Sequence, residues 1–276
     1  MIVSFHPLFE ADENIICAGR DPNAEDLAAI KAAKAVILSQ GCCQSLYEMA
    51  RAYCPNVFPN YDARFNYPGK IGQIKLFRQI NISHPPTELY PDVASFQRGH
   101  QECPSKLAVN YPFVFKLNWG GEGDTVYLVN SAEQFKTILK QTAVFEKSGQ
   151  TGFMLQEFIS SSNRTLRVVI IGQRFISYWR ILQNPGGFQT NLNKGAVIDS
   201  DAEPELQRKA VAQIKGVCQK SGINLAGFDV IFSSENKEPC PMLLEINYFF
   251  GRKGLGGSKA YYKILQQEIE AWLAGI

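Results

Sequence analysis

Two runs of alternating apolar and polar residues, at 226–232 and 242–247, constrain the fold of this chain more than any other stretch. Alternation with a period of two residues is typical of a β-strand. The residues between the runs, at 233–240, are mostly polar and include proline, so the two strands are predicted to form an antiparallel hairpin. The second run places three apolar side chains on one face: Met242, Leu244 and Ile246.

The other face of this hairpin carries two carboxylates and an amide. A turn centred near residue 237 sets Asp229 directly opposite Glu245, with about 5 Å between their Cβ atoms, and Asn247 lies two residues further along. Burying like charges this closely is costly unless a cation lies between them. All three side chains offer hard oxygens, which favours Mg²⁺ or Mn²⁺ held together with substrate phosphates. The alternative is an exposed edge face whose charges are solvated.

The composition is that of an ordinary globular protein, with 276 residues, 45% of them hydrophobic and 20% charged. A net charge of +2 without a long basic run argues against nucleic acid as the main ligand. Seven cysteines without a C-x-x-C pair indicate reduced thiols in a cytoplasmic protein. Because no apolar stretch reaches about 18 residues and the N-terminus lacks a signal-peptide pattern, we expect neither a membrane span nor secretion.

Residues 1–60 alternate between strand-like and helix-like patterns, which predicts a small unit built on a parallel sheet. Asp21-Pro22 matches an N-cap followed by proline at the first helical position, so we expect a helix from there to Lys34. Residues 44–52 predict a second helix. This part of the chain has no G-x-G-x-x-G motif, and a Rossmann-type dinucleotide site is therefore not expected in it.

A glycine-rich loop at 118–124 joins two predicted strands, 113–117 and 125–129. A P-loop or Rossmann loop joins a strand to a helix, so both are disfavoured. Glycine lets the backbone approach a ligand closely, and a hairpin of this kind can fold its N–H groups over phosphates. Lys116 in the first strand adds a point charge for the α- and β-phosphates. The alternative is a glycine-rich hairpin that binds nothing.

Basic and amide side chains recur in two later stretches. Residues 164–182 are predicted to form a β-hairpin with Arg167 and Arg180 among apolar neighbours. These arginines either form surface salt bridges or contact an anionic substrate or phosphate. A polar turn further on contains Asn191 and Lys194. Those two side chains either reach a phosphate or a metal, or they belong to a plain surface loop.

The order of these motifs resembles the ATP-grasp superfamily, and in particular its glutathione synthetase and RimK-type carboxylate–amine ligases. The resemblance covers roughly residues 68–257, and the paired acidic motifs are its most specific part. It implies an α/β (α+β) chain with an ATP-grasp fold. The domains that it implies are an N-terminal parallel α/β domain at 1–68, a linker helix with a β-hairpin lid at 69–152, and an ATP-grasp core with the metal site at 153–276.

The resemblance also implies roles for the residues at matching positions. The residues that it implies for ATP binding are Lys70, Lys116, Gly120, Gly121, Gly123, Gln156, Glu157, Phe158, Ile159 and Asn191. The implied Mg²⁺ ligands are Asp229, Glu245 and Asn247. The residues implied to stabilise the substrate or the acyl phosphate are Arg167, Arg180 and Lys194.

The function that the resemblance implies is an ATP- and Mg²⁺-dependent ligase acting in the cytoplasm. Such an enzyme phosphorylates a small-molecule carboxylate, joins it to an amine and releases ADP and phosphate. Ligases of this kind are often dimeric or tetrameric, so a homo-oligomer is compatible with it.

Two departures from the family pattern stand out. Thr165 replaces an acidic residue before the strand arginine, and Tyr248-Phe249-Phe250 replaces the usual segment after the metal strand. The second departure motivates one alternative, a non-catalytic ATP-binding regulatory protein. A further alternative is an ATP-grasp-type small-molecule kinase that stops at phosphoryl transfer.

Overall fold

The computed structural model of the protein describes residues 1–101, 107–121, 123–183, 195–235 and 237–276. Asn191 and Lys194, which were named above, and Glu122 of the glycine-rich loop lie outside the described residues. The described part of the chain forms three β-sheets flanked by α-helices. None of the helices in that part combines the length and apolar character that crossing a bilayer requires.

The N-terminal unit is built on a parallel sheet, as the sequence predicts. Its elements are, in chain order, β1 (Ile2–Ser4), β2 (Glu13–Asn14), α1 (Ala24–Ala32), β3 (Ala35–Ile37), α2 (Gln44–Tyr53), β4 (Val57–Phe58) and α3 (Asp62–Asn66). The strands lie in the order β2-β1-β3-β4, and each neighbouring pair is parallel. We call this the N-terminal sheet.

The first helix begins later than the sequence reasoning expected. Its N-cap is Asn23, whose side chain accepts the backbone N–H groups of Glu25 and Asp26. The Asp26 carboxylate in turn accepts the N–H of Asn23 at 2.8 Å, which completes a capping box. The prediction of Asp21 as N-cap is therefore wrong, because the reciprocal pair at 23 and 26 satisfies more of the helix's free N–H groups.

The middle part of the chain forms an antiparallel sheet. Its elements are, in chain order, α4 (Gly69–Gln79), β5 (Thr87–Tyr90), α5 (Val93–Gln101), β6 (Phe113–Leu117), β7 (Val126–Val129), α6 (Ala132–Phe145) and β8 (Phe153–Glu157). The strands lie in the order β5-β8-β6-β7, which we call the middle sheet. The predicted hairpin around the glycine-rich loop is β6–β7, whereas β5 was not predicted.

The last part of the chain forms the sheet that carries the acidic hairpin. Its elements are, in chain order, β9 (Arg164–Ile171), β10 (Arg174–Leu182), β11 (Ala196–Asp199), α7 (Pro204–Ser221), β12 (Leu225–Ile231), β13 (Met242–Asn247) and α8 (Gly257–Ala274). The strands lie in the order β11-β10-β9-β12-β13, and all neighbouring pairs are antiparallel. We call this the C-terminal sheet, and β13 lies at its edge.

The acidic hairpin has the predicted register at its functional end. Asp229 pairs with Glu245, and the register then shifts so that Val230 pairs with Leu243. This shift leaves Leu244 as an extra residue, as in a β-bulge. Leu243 and Ile246 are consequently buried in the core while Leu244 is only half-buried. The prediction that Leu244 shares a face with Ile246 is therefore wrong.

One hydrophobic core joins the N-terminal unit to the C-terminal sheet. It includes Val36 of β3, Phe77 of α4, and Trp179 and Phe228 of the C-terminal sheet. A second core under the middle sheet is rich in aromatic rings; its phenylalanines are Phe96, Phe113, Phe115, Phe135 and Phe153. Separate cores leave room between the middle and C-terminal sheets, and a cavity lies there.

Candidate active site

A cavity of about 610 Å³ lies between the β6–β7 hairpin of the middle sheet and the C-terminal sheet. The basic side chains that line it are Lys70, Lys116, Arg167, Arg180, Arg252 and Lys253. The acidic side chains that line it are Asp229 and Glu245. Among the described lining residues, six basic groups against two acidic groups make the cavity electropositive, so it suits a polyanionic ligand.

Two buried lysines lie where helix α4 meets the glycine-rich hairpin. Lys70 lies in the first turn of α4, and its Nζ donates to the carbonyl oxygen of Gly120 at 2.7 Å. Lys116 lies in β6, one residue before the end of that strand. Asn118 fixes the two elements to each other, since its backbone oxygen accepts the N–H of Lys70 at 3.1 Å and its Oδ1 accepts the N–H of Ile71 at 2.9 Å.

The burial of these lysines changes their protonation. Burial lowers the pKa of Lys116 to about 8, although the negative charge of Glu245 opposes this change. Burial also lowers the pKa of Lys70, again against the influence of Glu245. Neither lysine forms an ion pair with an acidic residue in the part of the chain that the structure describes. Buried cations of this kind are a mark of functional sites.

The glycine-rich loop combines a fixed turn with an open backbone. Gly120 has φ +103°, and a Cβ atom there would lie 2.6 Å from Cγ2 of Thr125, so no larger residue fits. A Cβ atom at Gly121 would meet nothing within 4 Å. Thr125 fixes the turn further, because its Oγ1 donates to the carbonyl oxygen of Trp119 at 2.9 Å. The loop therefore holds its shape at Gly120 and presents accessible backbone at Gly121.

Asp229 lies at the centre of a buried ion network. In the C-terminal sheet it pairs with Glu245 on one side and with Arg167 on the other. Arg167 binds it with two bonds, Nε to Oδ1 at 2.6 Å and Nη2 to Oδ2 at 3.1 Å. Nη2 of Arg180 lies 2.7 Å from the same Oδ1. Burial alone would raise the pKa of Asp229, but the two arginines lower it, so the carboxylate is ionised.

The oxygens on the acidic hairpin are too few to hold a metal ion by themselves. Nδ2 of Asn247 donates to Oδ2 of Asp229 at 3.2 Å, and Asn247 and Glu245 both line the cavity. Within the described residues no group of three or more His, Cys, Asp or Glu side chains could hold a metal ion alone. Mg²⁺ is usually held by one or two carboxylates together with substrate phosphates. The donor set therefore fits Mg²⁺ that arrives with a nucleotide.

Another part of the cavity wall is formed by Tyr178 and by the segment after β13. The ring of Tyr178 packs on Gly254, where a Cβ atom would lie only 2.2 Å from the ring. The guanidinium of Arg252 is held over the rings of Tyr261 and Tyr262, at 4.8 and 4.5 Å from their centroids. Phe249, although it lines the cavity, is largely exposed.

Nine residues that line the cavity were not among the predicted site residues: Val126, Thr165, Tyr178, Leu244, Phe249, Phe250, Gly251, Arg252 and Lys253. Tyr178 could have been found, because it lies two residues before Arg180 in β10 and strand alternation puts both side chains on one face. Leu244 faces the cavity only because of the bulge, for which the sequence carries no signal that we recognise.

The cavity brings together most of the residues that the sequence predicts for the site. The predicted residues that line it are Lys70, Lys116, Gly120, Gly121, Gly123, Arg167, Arg180, Asp229, Glu245 and Asn247. Four others do not line it: Gln156, Glu157, Phe158 and Ile159.

The predicted adenine-binding segment is engaged by strand β5 and the residues before it. Nε2 of Gln156 donates to Oγ1 of Thr87, and the N–H of Glu157 donates to the carbonyl oxygen of Pro86, both at 2.9 Å. The side-chain amide of Gln156 is thus committed to the protein itself. A role of residues 156–159 in adenine binding stays a prediction, as do the roles of Asn191 and Lys194.

Residues 69–270 match the family model described as a RimK-like ATP-grasp domain. The match covers well over half of the chain and the whole of the cavity described above. This chain belongs to the RimK-like ATP-grasp family. The resemblance stated from the sequence motifs is therefore confirmed.

Curated relatives of this RimK-like protein are named as ligases. The probable alpha-L-glutamate ligase of Xanthomonas campestris pv. campestris is 29% identical over 148 residues, which cover 53% of this chain and 47% of the relative. The probable alpha-L-glutamate ligase of Azotobacter vinelandii is 25% identical over 190 residues, which cover 67% and 57%. The chain spans about half the length of the curated relatives that it matches.

Solved structures confirm the ATP-grasp fold. A RimK domain ATP-grasp protein from Sphaerobacter thermophilus superposes with a TM-score of 0.63 at 12% identity, covering 97% of this chain and 98% of that one. An L-amino acid ligase from Bacillus licheniformis superposes with a TM-score of 0.57 at 14% identity, covering 91% and 58%. At these identities the likeness establishes the fold of the RimK-like chain alone.

Proposed function

We propose that this RimK-like protein is an ATP- and Mg²⁺-dependent carboxylate–amine ligase that acts through an acyl phosphate. The observation that carries the proposal is the arrangement of one cavity. Two buried lysines, which have no carboxylate partner among the described residues, lie beside a glycine hairpin on one side, and Asp229, Glu245 and Asn247 lie on the other. This arrangement matches what phosphoryl transfer requires, which is mainly positioning and neutralisation of phosphate charge.

The lysines and the hairpin hold the nucleotide in this mechanism. Lys70 and Lys116 neutralise its phosphates, and the backbone at Gly121 allows their close approach. Asp229, Glu245 and Asn247 would hold Mg²⁺, which supplies positive charge to the phosphates while the γ-phosphoryl group moves.

The chemistry proceeds in two displacements. An oxygen of the substrate carboxylate attacks the γ-phosphorus, the bond to the bridging oxygen breaks, and ADP leaves. The amine nitrogen then attacks the acyl carbon, phosphate leaves, and the amine loses a proton to give the amide.

Arg180 is the side chain best suited to stabilise the acyl phosphate. It lines the cavity, and its buried Nε has no hydrogen-bond partner among the described residues. A buried donor without a partner is costly unless a ligand completes it. An anionic oxygen of the acyl phosphate supplies that partner and gains charge stabilisation where negative charge develops.

The far wall of the cavity favours an anionic substrate. Arg252 and Lys253 line it, and neither forms an ion pair with a described acidic residue. A carboxylate remote from the reacting group would pair with these side chains. Since the relatives are named alpha-L-glutamate ligases, L-glutamate is the first amino acid to test.

The proposal is tested by ADP release from ATP and Mg²⁺ against a panel of carboxylates and amino acids that includes L-glutamate. We expect Glu245→Gln to fold normally, since the side chain of Glu245 forms no ion pair with a described residue, and to release ADP at least about 100-fold more slowly. The matched control is Glu238→Gln, which changes an exposed glutamate outside the cavity and is expected to leave turnover unchanged.

Three other results would contradict parts of this proposal. Full turnover in Glu245→Gln would overturn the metal assignment. Tight ATP binding without ADP release across the whole panel would favour a non-catalytic ATP-binding protein. A stable phosphorylated product without amide would favour a kinase.

A further inference from the structure

The outer edge of strand β13 carries a contact that the proposed mechanism does not use. Gln73 of helix α4 binds both backbone groups of Ile246 with its side-chain amide. Its Oε1 accepts the N–H of Ile246, and its Nε2 donates to the carbonyl oxygen of the same residue, both at 2.8 Å. The amide thus bonds to β13 as a neighbouring strand would.

The strand geometry explains why Ile246 offers both groups to the same side. In an antiparallel pair, alternate residues direct their N–H and C=O away from the partner strand. Ile246 pairs with Phe228 of β12 and directs both groups to the open edge of the sheet. A buried edge residue with two unpaired backbone groups would be costly, and Gln73 satisfies both.

The position of Ile246 gives this contact its significance. Its two neighbours in sequence are Glu245 and Asn247, whose side chains both line the cavity. Fixing the backbone of Ile246 therefore fixes the direction in which both of these side chains project. Gln73 also lies one helical turn after Lys70, so the same contact holds the lysine helix against the acidic strand.

The other described contacts on this edge lie further from the two ligand residues. The N–H of Leu243 donates to the carbonyl oxygen of Ser83 at 2.8 Å, on the far side of the bulge. Nε2 of Gln40 donates to the carbonyl oxygen of Tyr248 at 3.1 Å, beyond the end of the strand. Gln73 alone among these binds between Glu245 and Asn247.

We propose that Gln73 is a positioning residue for the metal-binding pair Glu245 and Asn247. This inference rests on the proposed function, because it assigns Gln73 a role in the metal–nucleotide site of that ligase. Groups that orient metal ligands without touching the metal commonly change metal affinity about 10- to 100-fold when they are lost.

A second glutamine offers a matched control. Gln213 of helix α7 is also half-buried, and its Nε2 donates to the carbonyl oxygen of Pro241 at 2.9 Å, just before β13 begins. Gln213→Met removes a side chain-to-backbone bond at the other end of the same strand. Gln73→Met removes the contact at the ligand pair with the same change of side chain.

The test is a titration of Mn²⁺ with ADP, in which electron paramagnetic resonance measures the Mn²⁺ bound to the full chain. We expect the wild type and Gln213→Met to bind Mn²⁺–ADP alike, and Gln73→Met to bind it about 10- to 100-fold more weakly. Thermal unfolding of the two variants separates this effect from a general loss of stability. If Gln73→Met fails to fold, Gln73→Asn is used in its place. The asparagine side chain is too short to reach both backbone groups of Ile246.

The outcomes distinguish this inference from the function on which it rests. Wild-type affinity in the Gln73 variant would overturn the positioning role and leave the proposed ligase intact. Equal weakening in the Gln73 and Gln213 variants would also overturn it, because any loosening of β13 would then suffice. A wild type that binds no Mn²⁺–ADP would overturn the proposed metal–nucleotide site itself.

Discussion

Two pairs of buried basic residues face the same cavity, yet their surroundings differ. Lys70, Lys116, Arg167 and Arg180 each expose only 6% to 8% of their surface. The arginines share the carboxylate of Asp229 through three contacts of 2.6 to 3.1 Å. The lysines, in contrast, have no ion pair among the described residues.

The arginines with Asp229 form a closed charge network, in which each charge has a partner within the fold. The lysines form an open one, in which the described residues supply no counter-charge. A buried charge is costly unless it is paired, so Asp229 makes the burial of Arg167 and Arg180 tolerable. The lysines keep that cost in the free protein, and an anionic ligand would remove it. The arginine side of the cavity is thus organised by the fold, whereas in the proposed function the phosphates of a nucleotide complete the lysine side.

The largest effect on stability is expected from breaking the closed network. Asp229→Asn leaves two buried arginines without a counter-charge, and we expect it to lower the free energy of unfolding by about 3–5 kcal/mol. The control is Glu205→Gln, which breaks an exposed pair with Arg208 and should cost at most about 1 kcal/mol. Urea unfolding of both variants measures the difference.

The pH dependence of the wild type gives a second view of the same network. Because the arginines lower the pKa of Asp229 in the folded state, the network's contribution is complete above about pH 4, the usual Asp value. This stabilising contribution disappears only as the pH falls through the lower pKa that Asp229 has in the folded state.

If Asp229→Asn and Glu205→Gln lowered the free energy of unfolding equally, that result would contradict the closed network.

A smaller effect on stability, of opposite sign, is expected from a substitution at the lysine side of the cavity. Lys116→Met removes a buried charge but keeps an apolar stem, so the nucleotide-free protein should gain about 1–3 kcal/mol of stability at pH 7. Since the folded pKa of about 8 lies below the unfolded value of 10.5, the gain should shrink as pH rises from 8 to 10.5.

The same lysine variant should bind nucleotide more weakly, although it is more stable. Lys209→Met, an exposed lysine of α7, is the control and should change the free energy of unfolding by no more than about 0.5 kcal/mol. Chemical unfolding without ADP measures the gain in stability, and unfolding with ADP measures the weaker binding of nucleotide. Destabilisation by Lys116→Met in the absence of nucleotide would show that a protein group already pairs with this lysine.

The local order of the acidic hairpin could be predicted because strand alternation and a polar turn fix its register. Asp229 pairs with Glu245 as expected, and both side chains face one cavity. The direction of Leu244 could not be predicted, since one inserted residue reverses the alternation beyond it.

Longer-range pairings were beyond the reach of sequence patterns. Arg167 and Asp229 are 62 residues apart and meet because β9 pairs with β12. Strand β5 escaped prediction because Pro85 and Pro86 directly before it suggest a turn rather than a strand. Without β5, the engagement of Gln156 by Thr87 could not be foreseen either.

The measurement that tests the open lysine side most directly is calorimetry of ADP–Mg²⁺ binding in buffers of different ionisation enthalpy. In the free protein the pKa of Lys116 is about 8, and nearby phosphates raise it. Binding at pH 9 should therefore take up close to one proton, binding at pH 7 should take up none through this lysine, and affinity should fall up to about tenfold per pH unit above 8. Lys116→Met should abolish the uptake. Binding without proton uptake at pH 9, or equal uptake in the variant, would contradict a nucleotide site at this lysine.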